Sequence, residues 1–160
     1  MIGALRRIQS VADYQFGRGV GNKLFPENVE IRYSKATGRI RYINLDGKRL
    51  ATLRPTDGLL ALSITAAKVL AANATSIQCL VTVRNDVSEF ISKGGDVFAA
   101  HVVKADEEIH AKEEVIVIDE NGSVLAVGRA ALSSEEMLAF KTGVAVKVRH
   151  GSNDDAASES

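Results

Sequence analysis

The sequence predicts an α+β fold. We expect a small antiparallel sheet with flanking helices in the N-terminal half, and a compact β-barrel or twisted mixed sheet with short helices in the C-terminal half. Short segments rich in β-forming residues alternate with turn residues along most of the chain, and two helical patterns enclose the first group of strands. The 160 residues, 46% hydrophobic and 25% charged, suffice for two small cores.

The N-terminal half opens with a helix and continues as a meander of strands. Apolar residues at helical spacing predict a first helix that ends near residues 14–16, before a glycine-rich loop at residues 17–21. Three strands follow, at residues 29–33, 39–45 and 50–53. Asp46-Gly47, between the last two strands, is a strong hairpin-turn signal.

A helix and a polar break separate the two halves. Residues 59–72 are rich in Ala and Leu, which predicts a closing helix, and the polar residues 73–76 follow. We therefore predict a first α+β domain at residues 1–73 and a second domain at residues 74–150. The polar, acidic residues 151–160 predict a disordered tail.

The second half begins with a strand and a short helix. The apolar residues 77–83 predict the strand, and residues 86–91 the helix, for which Asn85 is available as the cap. A tight loop at residues 93–96 follows. Residues 97–103 then predict a short strand or bend.

A hairpin, a capped helix and a last strand complete the second half. Residues 114–119 and 123–132 are expected to pair across Asn121-Gly122, which suits a type I′ turn. Ser133 and Glu136 have the spacing of a helix capping box. Alternation in the last strand, residues 144–148, predicts two faces: Val144, Val146 and Val148 inward, and Ala145, Lys147 and Arg149 on the other face.

The net charge of zero conceals an asymmetry along the chain. Residues 1–72 carry 12 Lys and Arg against 5 Asp and Glu, a balance of +7. The balance is −4 over residues 73–149 and −3 over residues 150–160. A local positive field attracts a nucleic acid whatever the total charge, because each cation at a phosphate releases counterions. The N-terminal half is therefore the electrostatic candidate, and the alternative is a basic surface that merely keeps the protein soluble.

The composition argues against a membrane protein and against a disulfide framework. No run of 18 apolar residues occurs, and residues 1–7 lack the features of a signal peptide, so we expect a cytoplasmic protein without a membrane partner. The single cysteine, Cys79, lies in an apolar run. This position predicts a buried strand residue rather than a redox centre or metal ligand.

Four blocks of the second half occur in a characteristic order, at residues 93–99, 127–130, 134–137 and 143–150. Together they closely resemble the signature of the PUA domain, which is named after pseudouridine synthases and archaeosine transglycosylases. The match covers about half of the chain. The resemblance implies a β pseudo-barrel that binds RNA, a module found beside catalytic domains of tRNA-modifying enzymes and in free-standing archaeal proteins.

Three blocks of the first half, at residues 13–17, 37–41 and 53–58, carry a second resemblance. They are similar to the domain that precedes PUA in archaeal tRNA-guanine transglycosylases. A chain of 160 residues has no room for the large catalytic barrel of those enzymes. The resemblance therefore implies the C-terminal part of such an enzyme without its barrel.

The resemblance also implies where RNA binds. In PUA domains the helix-to-strand loop and the last strand form the RNA groove, which on tRNA commonly receives the acceptor stem or its 3′ end. Carried over to this chain, the groove consists of Lys93, Gly94, Gly95, Asp96, Val97, Phe98, Ala99, Lys147 and Arg149. In many PUA sequences a proline and a glycine stand where this chain has Ala100 and His101, so the departure bears on the shape of the loop and on affinity.

Two of these residue types have a functional and a structural interpretation. Glycines without Cβ atoms let a nucleotide approach the backbone, and the ring of Phe98 can stack on a base. Alternatively, Gly94 and Gly95 end a helix in a left-handed conformation, and Phe98 belongs to the core. The residues themselves leave both interpretations open.

Basic residues of the first half form a second candidate contact. Arg32, Arg39 and Arg41 fall at alternating positions on neighbouring predicted strands, so that Arg39 and Arg41 share one face. Such a stripe can follow a phosphate backbone. A solvated outer face of the sheet is the alternative.

No constellation for catalysis or metal binding is recognisable. The three histidines lack metal-ligand spacing, and no Ser-His-Asp grouping can be placed. We therefore predict a non-catalytic protein without cofactor or metal that binds tRNA or another structured RNA, and not DNA. One alternative is an accessory subunit that delivers tRNA to a separately encoded modifying enzyme. Another is a protein-interaction module without an RNA role.

Overall fold

A computed structural model describes residues 3–72 and 77–153 of the chain. The chain divides into two compact units, Met1–Ile77 and Gln78–Ser160. The first contains a small antiparallel sheet and the second a larger, barrel-like sheet, each accompanied by helices. The predicted α+β fold class is therefore confirmed.

The first unit is an antiparallel meander with helices before and after it. Its elements are α1 (Ala4–Phe16), α2 (Val20–Leu24), β1 (Glu30–Tyr33), β2 (Ile40–Leu45), β3 (Lys48–Leu53), β4 (Leu60–Leu62) and α3 (Ile64–Ala71). The strands lie in sequence order. Ile43 pairs with Ala51, which pairs with Leu62, so one face of the sheet presents a row of buried apolar side chains. Asp46 and Gly47 have positive φ angles, as the predicted hairpin turn requires.

Two predictions for the first unit were wrong in part. The predicted helix at residues 59–72 begins only at Ile64, because Leu60–Leu62 pairs with β3 as a fourth strand. Ser63 then caps α3 by accepting a hydrogen bond from the Ala66 N–H at 3.1 Å. The predicted glycine-rich loop ends at Gly19, since Val20–Leu24 is a helix.

Helices α1 and α2 at the start of the first unit approach each other closely. The Gly21 N–H donates to Asp13 Oδ1 at 2.6 Å. A Cβ atom on Gly21 would lie 2.2 Å from the backbone oxygen of Gln9, far inside van der Waals contact. The contact between the two helices therefore requires glycine at this position.

The second unit wraps most of its strands around one core. Its elements are β5 (Leu80–Val83), a 3-10 turn (Asn85–Val87), α4 (Ser88–Ser92), β6 (Val97–Phe98), a 3-10 turn (Ala99–His101), β7 (Val102–Ala105), β8 (Glu114–Ile118), β9 (Val124–Ala130), α5 (Ser134–Ala139) and β10 (Val144–Gly151). The strand order is β6-β10-β9-β8-β5-β7, in which β5 and β8 run parallel and the other pairs antiparallel.

Of two local sequence signals in the second unit, the capping box is present in the structure and the type I′ turn is not. The capping box of α5 is present, because Ser133 Oγ accepts from the Glu136 N–H and Glu136 Oε1 accepts from the Ser133 N–H. The predicted type I′ turn at residues 121–122 is absent. Gly122 has a positive φ but Asn121 does not, because Asp119 Oδ1 accepts from the Asn121 and Ser123 N–H groups and holds the loop in another form.

Long-range contacts overturn three further predictions. Asn85 does not cap α4, because its Oδ1 accepts from the Glu120 N–H at 2.9 Å. Ala145 is fully buried rather than outward-facing, since the pairing of β10 with β6 shifts register between Val144 and Val146. Gly151 ends β10, and the N–H groups of residues 152 and 153 donate to backbone oxygens of the second unit, so the start of the predicted disordered tail is folded.

The remainder of that tail, residues 154–160, and the predicted boundary at residues 73–76 lie outside the described residues. Cys79 is buried as predicted, directly before β5, and burial raises the pKa of its thiol. In residues 3–72 and 77–153, none of the helices combines the length and apolar character needed to cross a bilayer.

We expect Gly21→Ala to destabilise the first unit by about 1–3 kcal/mol, because the added methyl group displaces the backbone of α1. All three tyrosines lie in the first unit and the chain has no tryptophan, so tyrosine fluorescence during denaturant unfolding reports on this unit. Gly3→Ala is the control, since a Cβ atom there meets no atom within 4 Å. Equal unfolding midpoints for both variants would contradict the close approach.

Candidate nucleic-acid interface

The predicted tight loop at residues 93–96, here called the glycine loop, follows directly after helix α4. The Gly94 N–H donates to the Ile91 oxygen at 2.9 Å, and the Gly95 N–H donates to the Phe90 oxygen at 3.0 Å. Gly94 has φ 106°, in the region that favours glycine. These paired bonds are those of a Schellman motif, so the two glycines end the helix as the structural interpretation predicted, with the left-handed conformation at Gly94 and not at Gly95.

Phe90 covers the loop and was not predicted as part of the site. A Cβ atom on Gly95 would lie 2.3 Å from the Phe90 ring, while 54% of Phe90 is exposed. The spacing of the two residues is a sequence signal for this contact, because Schellman motifs often pack these two positions together. An exposed ring therefore lies directly beside the loop.

The last strand lies against the same loop. Strand β10 pairs with β6, with Val144 opposite Phe98 and Val146 opposite Val97. A Cβ atom on Gly151, at the end of β10, would lie 2.3 Å from the backbone oxygen of Ser92. The structure thus brings together the two segments from which the predicted site is built.

Asp96 joins the two segments through its carboxylate. Its Oδ1 accepts from the Val148 N–H at 2.9 Å, and its Oδ2 lies 3.3 Å from Lys147 Nζ. Asp96 therefore fixes the position of the loop on the strand. The Lys147 side chain remains 75% exposed, so a phosphate can still reach its ammonium group.

The residues after the loop alternate between core and surface. The side chains of Val97 and Ala99 are buried, which leaves only their backbone for a ligand. Phe98 is 40% exposed, and its ring is nearly perpendicular to that of His101, with a centroid distance of 6.0 Å. The structure thus places Phe98 at the surface rather than in the core. His101 stands at one of the two positions that depart from many PUA sequences.

Arg149 has a structural partner that the sequence pattern did not show. Its guanidinium binds both carboxylate oxygens of Glu114, with an Nη1–Oε1 distance of 3.0 Å, and Glu114 is almost fully buried. A buried carboxylate needs such a partner because desolvation of its charge is costly. Lys147 instead has exposed Arg129 as its cross-strand neighbour on β9, a cation that the sequence analysis did not select.

The three arginines that the sequence analysis selected in the first unit line two depressions. Arg32, ion-paired with Glu30 at 2.8 Å, lines a shallow groove on the sheet that also contains Arg41. Arg39 lines a deeper cleft, and Arg41 borders that cleft as well. The register of β1 and β2 shifts at Arg41 and leaves it as the extra residue of a bulge, and Arg39 and Arg41 lie at the same cleft.

An aromatic ring forms part of the shallow groove. The Arg49 guanidinium carbon lies 3.8 Å from the centroid of the Tyr42 ring, and that of Arg41 lies 5.5 Å from it. The hydrogen bond and charge of Arg41 lower the pKa of the Tyr42 hydroxyl. The groove therefore combines cations with an aromatic ring, a composition suited to nucleic acids.

No metal site is evident in the described ranges 3–72 and 77–153, where no three His, Cys, Asp or Glu side chains are grouped to hold an ion. The side chains at the candidate interface can hydrogen-bond, stack and attract charge. These interactions support binding of a nucleic acid.

Comparisons with protein families match both units. Residues 6–76 match the patch-forming domain C2 of tRNA-guanine transglycosylase, and residues 80–152 match the PUA domain. Both resemblances seen in the sequence are confirmed.

Among curated relatives, the chain is similar to archaeal tRNA-guanine(15) transglycosylases. It is 43% identical over 148 residues to the enzyme of Methanobrevibacter smithii and 43% identical over 148 residues to that of Pyrococcus furiosus. In both cases 92% of this chain is matched. The chain spans only 22% and 25% of the two enzymes, and the matched region is their C-terminal part.

Solved structures show the same fold over nearly the whole chain. A hypothetical protein from Pyrococcus horikoshii has a TM-score of 0.78 and 26% identity, over 97% of this chain and 93% of that one. A conserved PUA domain protein from Thermoplasma acidophilum has a TM-score of 0.69 and 24% identity, over 98% and 93% of the two chains. The second likeness concerns the fold alone.

Arg149→Ala should lower the free energy of unfolding of the second unit by about 3 kcal/mol, because it removes the guanidinium group that binds both oxygens of the buried Glu114 carboxylate. Lys147→Ala is the matched control on the same strand and should change stability little, since the Lys147 side chain is exposed. Hydrogen exchange of the β8 and β9 amides measures both effects. Undiminished protection in Arg149→Ala would show that Arg149 has no supporting role.

Proposed function

We propose that this chain, a PUA domain protein that also carries the transglycosylase-type domain C2, binds structured RNA and, more narrowly, tRNA. In this proposal it has no catalytic activity of its own and no cofactor, and it acts in the cytoplasm. The proposed RNA-binding role is supported by the match of the second unit to the PUA domain and by the similarity of the chain to the C-terminal part of tRNA-guanine(15) transglycosylases.

The observation that carries the proposal is the meeting of the glycine loop with the last strand. Asp96 binds the β10 backbone at Val148 and pairs with the exposed Lys147 side chain, and Phe98 pairs with Val144 of the same strand. The exposed ring of Phe98 offers a surface for a base, and the exposed ammonium group of Lys147 offers one for a phosphate. This surface has room for only a few unpaired nucleotides. Within a tRNA we therefore assign it the single-stranded 3′ end.

The first unit supplies the attraction in this proposal. Its balance of +7 contrasts with −4 over residues 73–149, so phosphates meet most cations outside the PUA unit. Contacts to phosphates position an RNA but do not read its sequence, and an RNA duplex exposes mainly backbone and 2′-hydroxyls. Recognition of the paired part of the RNA is therefore by shape.

A second candidate function is that of an accessory subunit. It is favoured by the match of 92% of this chain to part of an enzyme named as a tRNA transglycosylase. In that case the protein delivers tRNA to a separately encoded modifying enzyme. A stable complex with that enzyme, together with modification that depends on this chain, would support the accessory role.

The site proposal is tested by filter binding of the full chain to tRNA with and without its single-stranded 3′ nucleotides. The intact tRNA should bind more tightly than the shortened one. Phe98→Ala should lower the ratio of the two affinities about tenfold, because one base loses its stacking partner. Tyr14→Ala removes a ring that is 79% exposed in the first unit and should leave the advantage unchanged. Equal binding of both tRNAs by the unaltered protein would contradict the proposed site.

The electrostatic proposal is tested by repeating the titration over several salt concentrations. Replacing Arg39 and Arg41 together by alanine should weaken binding to all RNAs and reduce the slope of log K against log salt by about 1.5, because two phosphate contacts are lost. Lys48→Ala is the control for a cation that borders neither depression. An unchanged slope in the double variant would remove these arginines from the interface.

A further inference from the structure

The first unit contains a cleft that no comparison assigns to a ligand. It lies between α1, the β1–β2 turn and the connection from β3 to β4, and its volume is about 830 Å³. Small-molecule sites in proteins commonly have volumes of roughly 300–1,000 Å³. The cleft is therefore large enough for a nucleotide.

Cations surround this cleft. Its lining includes Arg7, Arg39, Arg41 and Arg54, and none of the described residues that line it is acidic. Arg54 lies 3.5 Å from Asp57, but within the described residues no carboxylate forms an ion pair with Arg7, Arg39 or Arg41. The Arg7 and Arg39 guanidinium groups are thus available to an anion, and Arg41, which also bonds the Tyr42 hydroxyl, borders the same cleft. Guanidinium is the side-chain group best matched to phosphate.

The rest of the lining is apolar or aromatic. Ile8 and Ile40 are buried, and Val11 and Leu53 are half-buried beside them. The Tyr33 ring lies at the same cleft and is 53% exposed. Apolar side chains beside an exposed ring provide a surface for a flat, weakly polar group such as a nucleobase.

The walls are held in place without a ligand. The Ser34 N–H donates to the Arg39 oxygen at 2.8 Å in one turn, and the Arg54 N–H donates to the Leu59 oxygen at 2.8 Å in the other. Gln15 of α1 accepts from the Leu60 N–H at 2.6 Å, which ties the helix to the sheet. Because the cleft is preformed, a ligand does not have to order it on binding.

We propose that this cleft holds one unpaired nucleotide of the bound RNA. The base packs against Tyr33 and the apolar side chains, and its phosphates contact Arg7, Arg39 and Arg41. The inference rests on the proposed RNA-binding function. An acidic peptide would satisfy the arginines but not the apolar lining, and a base within a duplex cannot leave its stack without cost. A bulged or single-stranded nucleotide satisfies both parts of the cleft.

The test uses an RNA hairpin with one bulged nucleotide and the same hairpin fully paired. Every tyrosine of the chain lies in the first unit, and there is no tryptophan. Stacking of a base on Tyr33 therefore quenches the intrinsic tyrosine fluorescence. Binding at the glycine loop alone leaves the fluorescence unchanged, because that loop lies in the second unit. The bulged hairpin should quench the fluorescence and bind about tenfold more tightly than the paired one, which corresponds to one stacked base.

A pair of neighbouring arginines provides the matched control. Arg6 and Arg7 are both exposed on α1, but only Arg7 lines the cleft. Arg7→Ala should abolish the preference for the bulged hairpin, and Arg6→Ala should keep it, although both variants lose one positive charge. Equal effects of the two substitutions would overturn the cleft proposal.

The remaining outcomes separate this inference from the proposed function. If both hairpins bind equally and without quenching, the cleft proposal fails while RNA binding stands. If neither RNA binds at any salt concentration, the proposed function fails, and the inference that rests on it fails too. Quenching by a poly-glutamate peptide that depends on Arg7, without quenching by RNA, would assign the cleft to an acidic protein instead.

Discussion

The carboxylate of Asp96 links the glycine loop of the second unit to its last strand. By accepting from the Val148 N–H and pairing with Lys147, it holds the loop at a fixed distance from β10. The close approach at Gly151 depends on the same arrangement, since the β10 backbone there leaves no space for a side chain. The surface position of Phe98 follows from this geometry. The candidate interface is consequently preorganised, which reduces the entropy lost on binding.

Local signals predicted much of the fold, whereas contacts between distant residues set the rest. The capping box of Ser133 and Glu136 was predictable because its partners lie within one helical turn. The role of Asn85 was not, since its partner Glu120 is 35 residues away. The three-residue strand that begins at Leu60 was also missed, because an apolar run that short fits a strand or a helix equally well until its neighbour is known.

For the candidate site, the sequence identified the segments but not the state of each side chain. A resemblance of sequence blocks selected the glycine loop and the last strand, and the structure places them side by side. The pattern could not show that the guanidinium of Arg149 binds the buried Glu114 carboxylate, or that Arg41, the extra residue of a bulge, lines a cleft together with Arg7. Counting charges therefore overstates the cations available in the second unit and strengthens the case for the first.

The most direct test of RNA binding at the glycine loop is a titration of the full chain with an acceptor-stem RNA that carries its single-stranded 3′ end. Binding is followed through the chemical shifts of the backbone amides in NMR spectra. The largest saturable changes are predicted for Gly94, Gly95, Phe98 and Lys147, with smaller changes when the 3′ nucleotides are removed. Saturable changes that leave these four amides unaffected, or no saturable change at all, would contradict the account.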